Sequence, residues 1–188
     1  ITRDGEPYGN TGRVDFTNTY TATGTLDGAA AFEVRKTFTG RADNQWTDND
    51  VFVFEMTGVD EEGNAAPMPE GSPNGKKTIT ISSDNLSGNV GVNNFGNIAY
   101  GNDDRGKTYI YTIVELPQNA DGQPVYGIDY SEAVYEVTVT VNDKATADGE
   151  LDIQHQMKLL KTDTGTENNT EVEDAIFSNK YTVNPDDK

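Results

Sequence analysis

The chain has 188 residues, with no cysteine, one histidine and one tryptophan, and 14 Lys+Arg stand against 32 Asp+Glu for a formal net charge of -18. So acidic a surface repels phosphate backbones and anionic lipid, which excludes nucleic acid and membrane as partners, and the lack of cysteine excludes disulfides, thiol nucleophiles and thiolate metal sites. No apolar run approaches the roughly 18 residues that a membrane helix needs, and no basic-then-apolar signal segment opens the sequence.

Near the start stands Phe16-Thr-Asn18-Thr-Tyr20, and near the end Phe177-Ser-Asn179-Lys-Tyr181. Recurrence at about the spacing of one domain makes residues 1–22 the last strand of a preceding repeat and 23–28 a linker. Residues 29–183 are then one complete β-sandwich domain and 184–188 a second linker. The competing explanation is coincidence in a five-residue pattern.

From Ala31 onward apolar and polar residues alternate with the period of a half-buried strand, and no stretch keeps apolar residues at the spacing of a helical face. The predicted strands are 31–38, 51–58, 77–82, 107–115, 133–141, 151–159 and 175–182, with shorter pieces at 91–95 and 98–100. Clusters such as GVDEEGN, GNDDRG, ADGQ, TADGE and TGTENN separate them, supplying the dihedrals that reversals require. Between Val59 and Lys76 the prolines of APMPEGSPNG forbid a central strand, so this segment is a surface excursion, either a plain inserted loop or a binding loop. Strands at this density with generous loops predict an all-β, Ig-like β-sandwich.

Alternation also assigns polar side chains to apolar faces. Lys36 falls in register with Phe32, Val34 and Phe38, Glu115 with Tyr109, Tyr111 and Ile113, and Asn179 with Phe177 and Tyr181. A lysine or glutamate in an apolar layer is costly when charged, and desolvation pushes it toward the neutral amine or the neutral acid. Those forms suit amide formation. A neutral Lys36 amine is a nucleophile, the Asn179 carboxamide is an electrophile that can release ammonia, and a protonated Glu115 can hydrogen-bond the amide oxygen and carry protons between the two nitrogens. The product is an intramolecular Lys36–Asn179 isopeptide bond. The alternative is a satisfied Lys–Glu pair beside a hydrogen-bonded asparagine, without covalent chemistry.

At these residues the sequence resembles the FctA-type pilin domain of Gram-positive bacteria, the CnaB-like, inverse-Ig module of streptococcal major pilins and related adhesins. The resemblance is carried by Val34-Arg-Lys36, Phe52-Val-Phe54-Glu-Met56, Tyr109-Ile-Tyr111-Thr-Ile113-Val-Glu115, Tyr126–Tyr130 with the valine strand Tyr135–Val141, and Phe177–Tyr181, in that order over 29–182. It implies Lys36 as amine donor, Asn179 as acceptor and Glu115 as catalytic acid, with Asn18 the acceptor of the preceding repeat, unlinked because its lysine lies upstream. It further implies a structural stalk module with no cofactor and no metal. Such a module is not a turnover enzyme, its partners are neighbouring repeats of the same chain, and its place is the cell-wall-anchored surface or pilus of a Gram-positive bacterium. There is no V-Y-P-K-like pilin motif and no LPxTG sorting signal, which favours a repeated stalk module over a complete polymerising pilin.

The alternative function is a ligand-binding module for carbohydrate or host protein, for which Trp46 and the 59–76 excursion are the candidate features. A hydrolase has no support: His155 alternates with Leu151, Ile153 and Met157 as a half-buried strand residue, and no triad order or HExxH spacing is present. Asn102-Asp-Asp104 lacks the spacing of an EF-hand loop.

Overall fold

A computed structural model describes residues 2–3, 6–7, 20–41, 46–144 and 149–182. Asn18 lies outside the described residues, as does the rest of its five-residue pattern except Tyr20, which is exposed. In chain order the elements are β1 (Thr2–Arg3), β2 (Glu6–Pro7), β3 (Gly24–Leu26), the helical turn α1 (Gly28–Ala31), β4 (Glu33–Thr39), β5 (Phe52–Asp60), β6 (Lys76–Ile81), β7 (Leu86–Ser87) and β8 (Val90–Asn94). There follow β9 (Ile98–Tyr100), β10 (Lys107–Leu116), β11 (Ile128–Asp129), β12 (Val134–Asp143), β13 (Leu151–Lys161), β14 (Glu167–Val172) and β15 (Ala175–Tyr181).

The long strands build two sheets, one in the order β14-β13-β12-β10-β5-β6 and the other in the order β11-β15-β4-β8-β7. Their alternating residues meet face to face. Phe54 of the first sheet contacts Phe177 of the second with ring centroids 5.1 Å apart, Tyr135 reaches the same Phe177 at 5.0 Å, and Phe52 packs on Phe38 at 5.2 Å. Aromatic pairs in edge or tilted contact add to the area they bury, and this layer forms the core of an all-β, Ig-like sandwich.

Pairing is antiparallel throughout the described strands except between β4 and β15, which run parallel with Lys36 level with Phe177 and Asn179 level with Phe38. On its other side Lys36 is level with Gly91 of β8. A Cβ at Gly91 would lie 2.3 Å from Ile81 and 3.0 Å from Trp46, so glycine lets these two side chains close over that flank.

Three differences from the predicted elements have physical causes. Residues 23–28, expected as a linker, are packed into the domain: β3 pairs with β9, and Leu26 is buried in the core, as is Ala22 just before them. The strand expected from Ala31 begins at Glu33, because the Asp27 side chain caps the Ala29 N–H at 3.0 Å and starts the α1 turn. Residues 167–169 read as the end of the TGTENN turn cluster but belong to β14, which runs on to Val172. As an edge strand that is mostly exposed, it carries no apolar alternation to announce it.

The 59–76 excursion is tied down. Ala66 is buried, and the Tyr111 hydroxyl donates to the Pro67 carbonyl at 2.7 Å while meeting the Tyr100 hydroxyl at 2.8 Å. His155, expected half-buried, is exposed, in the stretch 152–156 that lies between the Leu151 N–H bond to Thr23 and the start of the β14 pairing at Met157.

Candidate functional site

Three polar side chains project into the apolar layer, and the strand alternation explains each. In β4 the buried positions are Val34, Lys36 and Phe38; in β10 they are Tyr109, Tyr111, Ile113 and Glu115; in β15 they are Ala175, Phe177 and Asn179. Lys36 is 0% exposed, Asn179 2% and Glu115 6%, so water screens none of them. Lys36 and Asn179 come from neighbouring strands of one sheet, and Glu115 comes down from the facing sheet.

The structure brings the three together. Lys36 Nζ donates to Glu115 Oε2 at 2.8 Å, and Asn179 Nδ2 donates to Glu115 Oε1 at 2.7 Å. One carboxyl therefore holds two nitrogens, one on each oxygen. A carboxyl so placed can take a proton from one nitrogen and give one to the other without moving. The Lys36 ammonium also faces the Phe52 and Phe54 rings, 4.8 and 5.8 Å from their centroids.

The amide oxygen of Asn179 is held by a different group from the one the sequence predicts. Glu115 is the predicted partner, but Asn179 Oδ1 accepts from the Ser131 main-chain N–H at 2.7 Å. That N–H lies 3.3 Å from Glu115 Oε2 as well. A main-chain N–H can only donate, so it fixes which end of the carboxamide faces it and turns the amide nitrogen to Glu115.

Burial shifts both ionisable groups toward neutrality. Desolvation lowers Lys36 to about 8, against the opposing pull of Glu115 and, more weakly, Asp163. Desolvation likewise raises the Glu115 carboxyl above its ordinary range, against Lys36, Asn179 and the Ser131 N–H. The two titrate as a coupled pair, and each is displaced toward the form that carries no charge.

Sequence reasoning missed two further groups. The Ser131 hydroxyl meets Asp163 Oδ1 at 2.5 Å, and the same oxygen accepts the Ser178 N–H at 3.0 Å, one residue before Asn179. Asp163 sits in the turn between β13 and β14, where an acidic residue reads as solvated charge, and a main-chain N–H has no sequence signal at all.

The FctA family model, described as a Spy0128-like isopeptide containing domain, matches residues 32–182. The chain belongs to the FctA family. The matched span of this FctA domain contains Lys36, Glu115 and Asn179, and it begins beyond Asn18. Among solved structures, a variant of the major pilin from Streptococcus pyogenes aligns at 16% identity and a TM-score of 0.49, over 81% of this chain and 50% of its own. The T-13 major pilin protein of the same organism aligns at 17% identity and 0.47, over 84% and 54%. A further Streptococcus pyogenes major pilin structure aligns at 15% and 0.45, over 88% and 51%. The FctA chain thus spans about half the length of these pilins. No curated protein matches it.

Other features singled out from the sequence have structural uses in this FctA domain. Trp46 is half-buried and packs edge-on against Phe52 at 5.3 Å and Phe38 at 6.1 Å, so it is not the exposed ring that stacking on a sugar needs. Asp104 accepts from the Gly101 N–H at 2.7 Å and from the Tyr109 hydroxyl at 2.5 Å. Among the described residues there is no group of three or more His, Asp or Glu side chains that could hold a metal ion.

Proposed function

We propose that this domain is a structural module of a surface pilus or adhesin stalk of a Gram-positive bacterium, locked by an isopeptide bond that Lys36 and Asn179 form with the assistance of Glu115. The observation that carries this reading is the Glu115 carboxyl, buried and shared between the Lys36 and Asn179 nitrogens. Membership of a family described as isopeptide-containing supports it independently.

The chemistry follows from those contacts. With the pair's proton on Glu115, the neutral Lys36 amine attacks Asn179 Cγ, the new C–N bond forms and the carbonyl electron pair moves to Oδ1. Glu115 gives its proton to Nδ2 and takes one from the attacking Nζ. The Cγ–Nδ2 bond breaks as the carbonyl re-forms, ammonia leaves, and Glu115 ends protonated as it began. Folding supplies the proximity, and the reaction runs once per chain, so no substrate turns over.

A bond at this place suits a load-bearing element. β4 enters the matched domain and β15 leaves it, and the two lie side by side in parallel, so tension along the chain shears one against the other. A covalent bridge between them carries that load past the other strands. In the chain-entropy treatment used for disulfides, closing a loop of about 140 residues is worth roughly 5 kcal/mol. The chain's high negative charge keeps neighbouring modules apart and soluble. Neighbouring domains of the same surface protein are the proposed partners.

Intact-protein mass spectrometry tests the reading. The expected mass is that of the sequence less one ammonia, with the full mass returning in Lys36→Ala and Glu115→Ala; the unreduced mass in the folded wild-type chain contradicts it.

A further inference from the structure

The reaction just described moves negative charge onto Asn179 Oδ1 in its tetrahedral intermediate, inside a layer where an unstabilised oxyanion is prohibitive. Glu115 does not serve that oxygen, because both of its own oxygens face nitrogens. The group that does face it is the Ser131 main-chain N–H at 2.7 Å, and Ser131 is 5% exposed.

Ser131 is itself braced from outside the layer. Its hydroxyl meets Asp163 Oδ1 at 2.5 Å and accepts the Ala133 N–H at 3.1 Å, and the same Asp163 oxygen accepts the Ser178 N–H at 3.0 Å. Through one carboxylate oxygen, the Ser131 segment is tied to the residue before Asn179. A cleft of about 740 Å³ has Glu115, Ser131 and Asp163 among its lining residues.

We infer that the Ser131 main-chain N–H is the oxyanion donor of isopeptide formation and that Asp163 is the positioning residue that holds this donor against Asn179. The N–H already contacts the oxygen on which charge develops, so it strengthens its bond in the transition state without reorganisation. Asp163 touches no reacting atom; it fixes the distance between the donor's segment and the acceptor's strand. The electron pair that reaches Oδ1 when Nζ bonds to Cγ returns when Cγ–Nδ2 breaks, so the donor is unchanged at the end.

This inference rests on the isopeptide reading, and one experiment separates the two. The full chain is made by cell-free translation and sampled over time by intact mass, with the folded fraction followed by Trp46 fluorescence and the rate of ammonia loss expressed per folded chain. Three altered chains are compared with wild type. A backbone ester at position 131, made with the α-hydroxy analogue of serine, replaces the N–H by oxygen and keeps every side chain. Asp163→Ala removes both bracing contacts, and Asp163→Asn keeps an oxygen that accepts both.

The ester is expected to slow ammonia loss by about 100-fold or more, the usual effect of deleting one oxyanion donor. Asp163→Ala is expected to slow it by about 10-fold or more through misplacement, and Asp163→Asn to restore it to within about 3-fold of wild type. A wild-type rate in the ester overturns the donor assignment, and a wild-type rate in Asp163→Ala, or no rescue by Asn, overturns the positioning role. If Asp163→Ala fails to fold, Ser131→Ala, which keeps the main-chain N–H and loses the hydroxyl link to Asp163, decides in its place, with the same expected slowing and the same overturning result. A wild-type chain that folds and never loses ammonia sinks the isopeptide reading itself, an outcome distinct from all of these.

Discussion

Lys36 and Asn179 stand on the two strands of the domain that run parallel, with Lys36 level with Phe177 and Asn179 two positions further along β15. Both side chains point into the same layer, and both nitrogens end on Glu115. Force applied through the chain therefore loads the β4–β15 ladder in shear, and a bond between these residues would shorten the mechanical path to the residues outside it. Single-molecule stretching of tandem copies is expected to show no unfolding extension from the span 36–179 in the wild type. Lys36→Ala should release that span at ordinary unfolding forces.

On the proposed crosslink, removing it in two different ways should cost different amounts. Lys36→Met fills similar volume without a charge, so it loses the crosslink, worth roughly 5 kcal/mol in chain entropy, and little else. Glu115→Ala loses the crosslink and also leaves the Lys36 amine buried with no partner, which adds about 3–5 kcal/mol. Thermal unfolding should rank wild type above Lys36→Met and Lys36→Met above Glu115→Ala.

The buried pair should also leave a mark on pH dependence. In Asn179→Ala, Lys36 stays a free amine whose folded pKa is about 8 against an ordinary 10.5. Between those values the unfolded chain binds a proton that the folded chain has released, so stability rises with pH across that window. Glu115 shifts the other way: its folded pKa lies above the ordinary 4.5, so the folded chain keeps a proton that the unfolded chain loses, and stability falls as pH climbs from 4.5 toward the folded value. With the proposed crosslink in place, Lys36 of the wild type is an amide and does not titrate. Urea midpoints measured from about pH 8 to 10.5 should therefore climb in Asn179→Ala relative to wild type.

The rate of bond formation should follow the same pair. The reactive form holds one proton between Lys36 and Glu115, so the rate should be flat while the pair carries one proton. It should fall in acid, where the pair takes a second, and fall again as the last proton leaves above about pH 8. Ammonia loss during cell-free synthesis, sampled at a series of pH values, measures both limbs.

Away from the reacting groups, the 59–76 excursion hangs on Tyr111. Tyr111→Phe leaves the Pro67 carbonyl and the Tyr100 hydroxyl short of a partner and should cost about 1–3 kcal/mol. Limited proteolysis should then cut within 59–76 faster than in the wild type, while ammonia loss is unchanged.

Much of the fold is legible in the sequence because the long strands are half-buried. Val34, Lys36 and Phe38 declare one face of β4, and Tyr109, Tyr111, Ile113 and Glu115 declare one face of β10, so a polar residue in register with apolar ones stands out from spacing alone. The alternation fails where that asymmetry is missing. β14 is an exposed polar edge, and α1 is a four-residue turn set by the Asp27 cap rather than by any periodicity. The partner of the Asn179 oxygen is not legible for a deeper reason, since the Ser131 donor is main chain and its position depends on a turn carboxylate, Asp163, brought near from 32 residues away.

The most direct measurement is tandem mass spectrometry of a proteolytic digest of the folded wild-type chain. A branched peptide whose fragments join the Lys36 side chain to the Asn179 side chain, lighter than its two components by one ammonia and missing from Glu115→Ala, is the expected result. Recovery of the Lys36 and Asn179 peptides as separate, unmodified species from fully folded protein would contradict it.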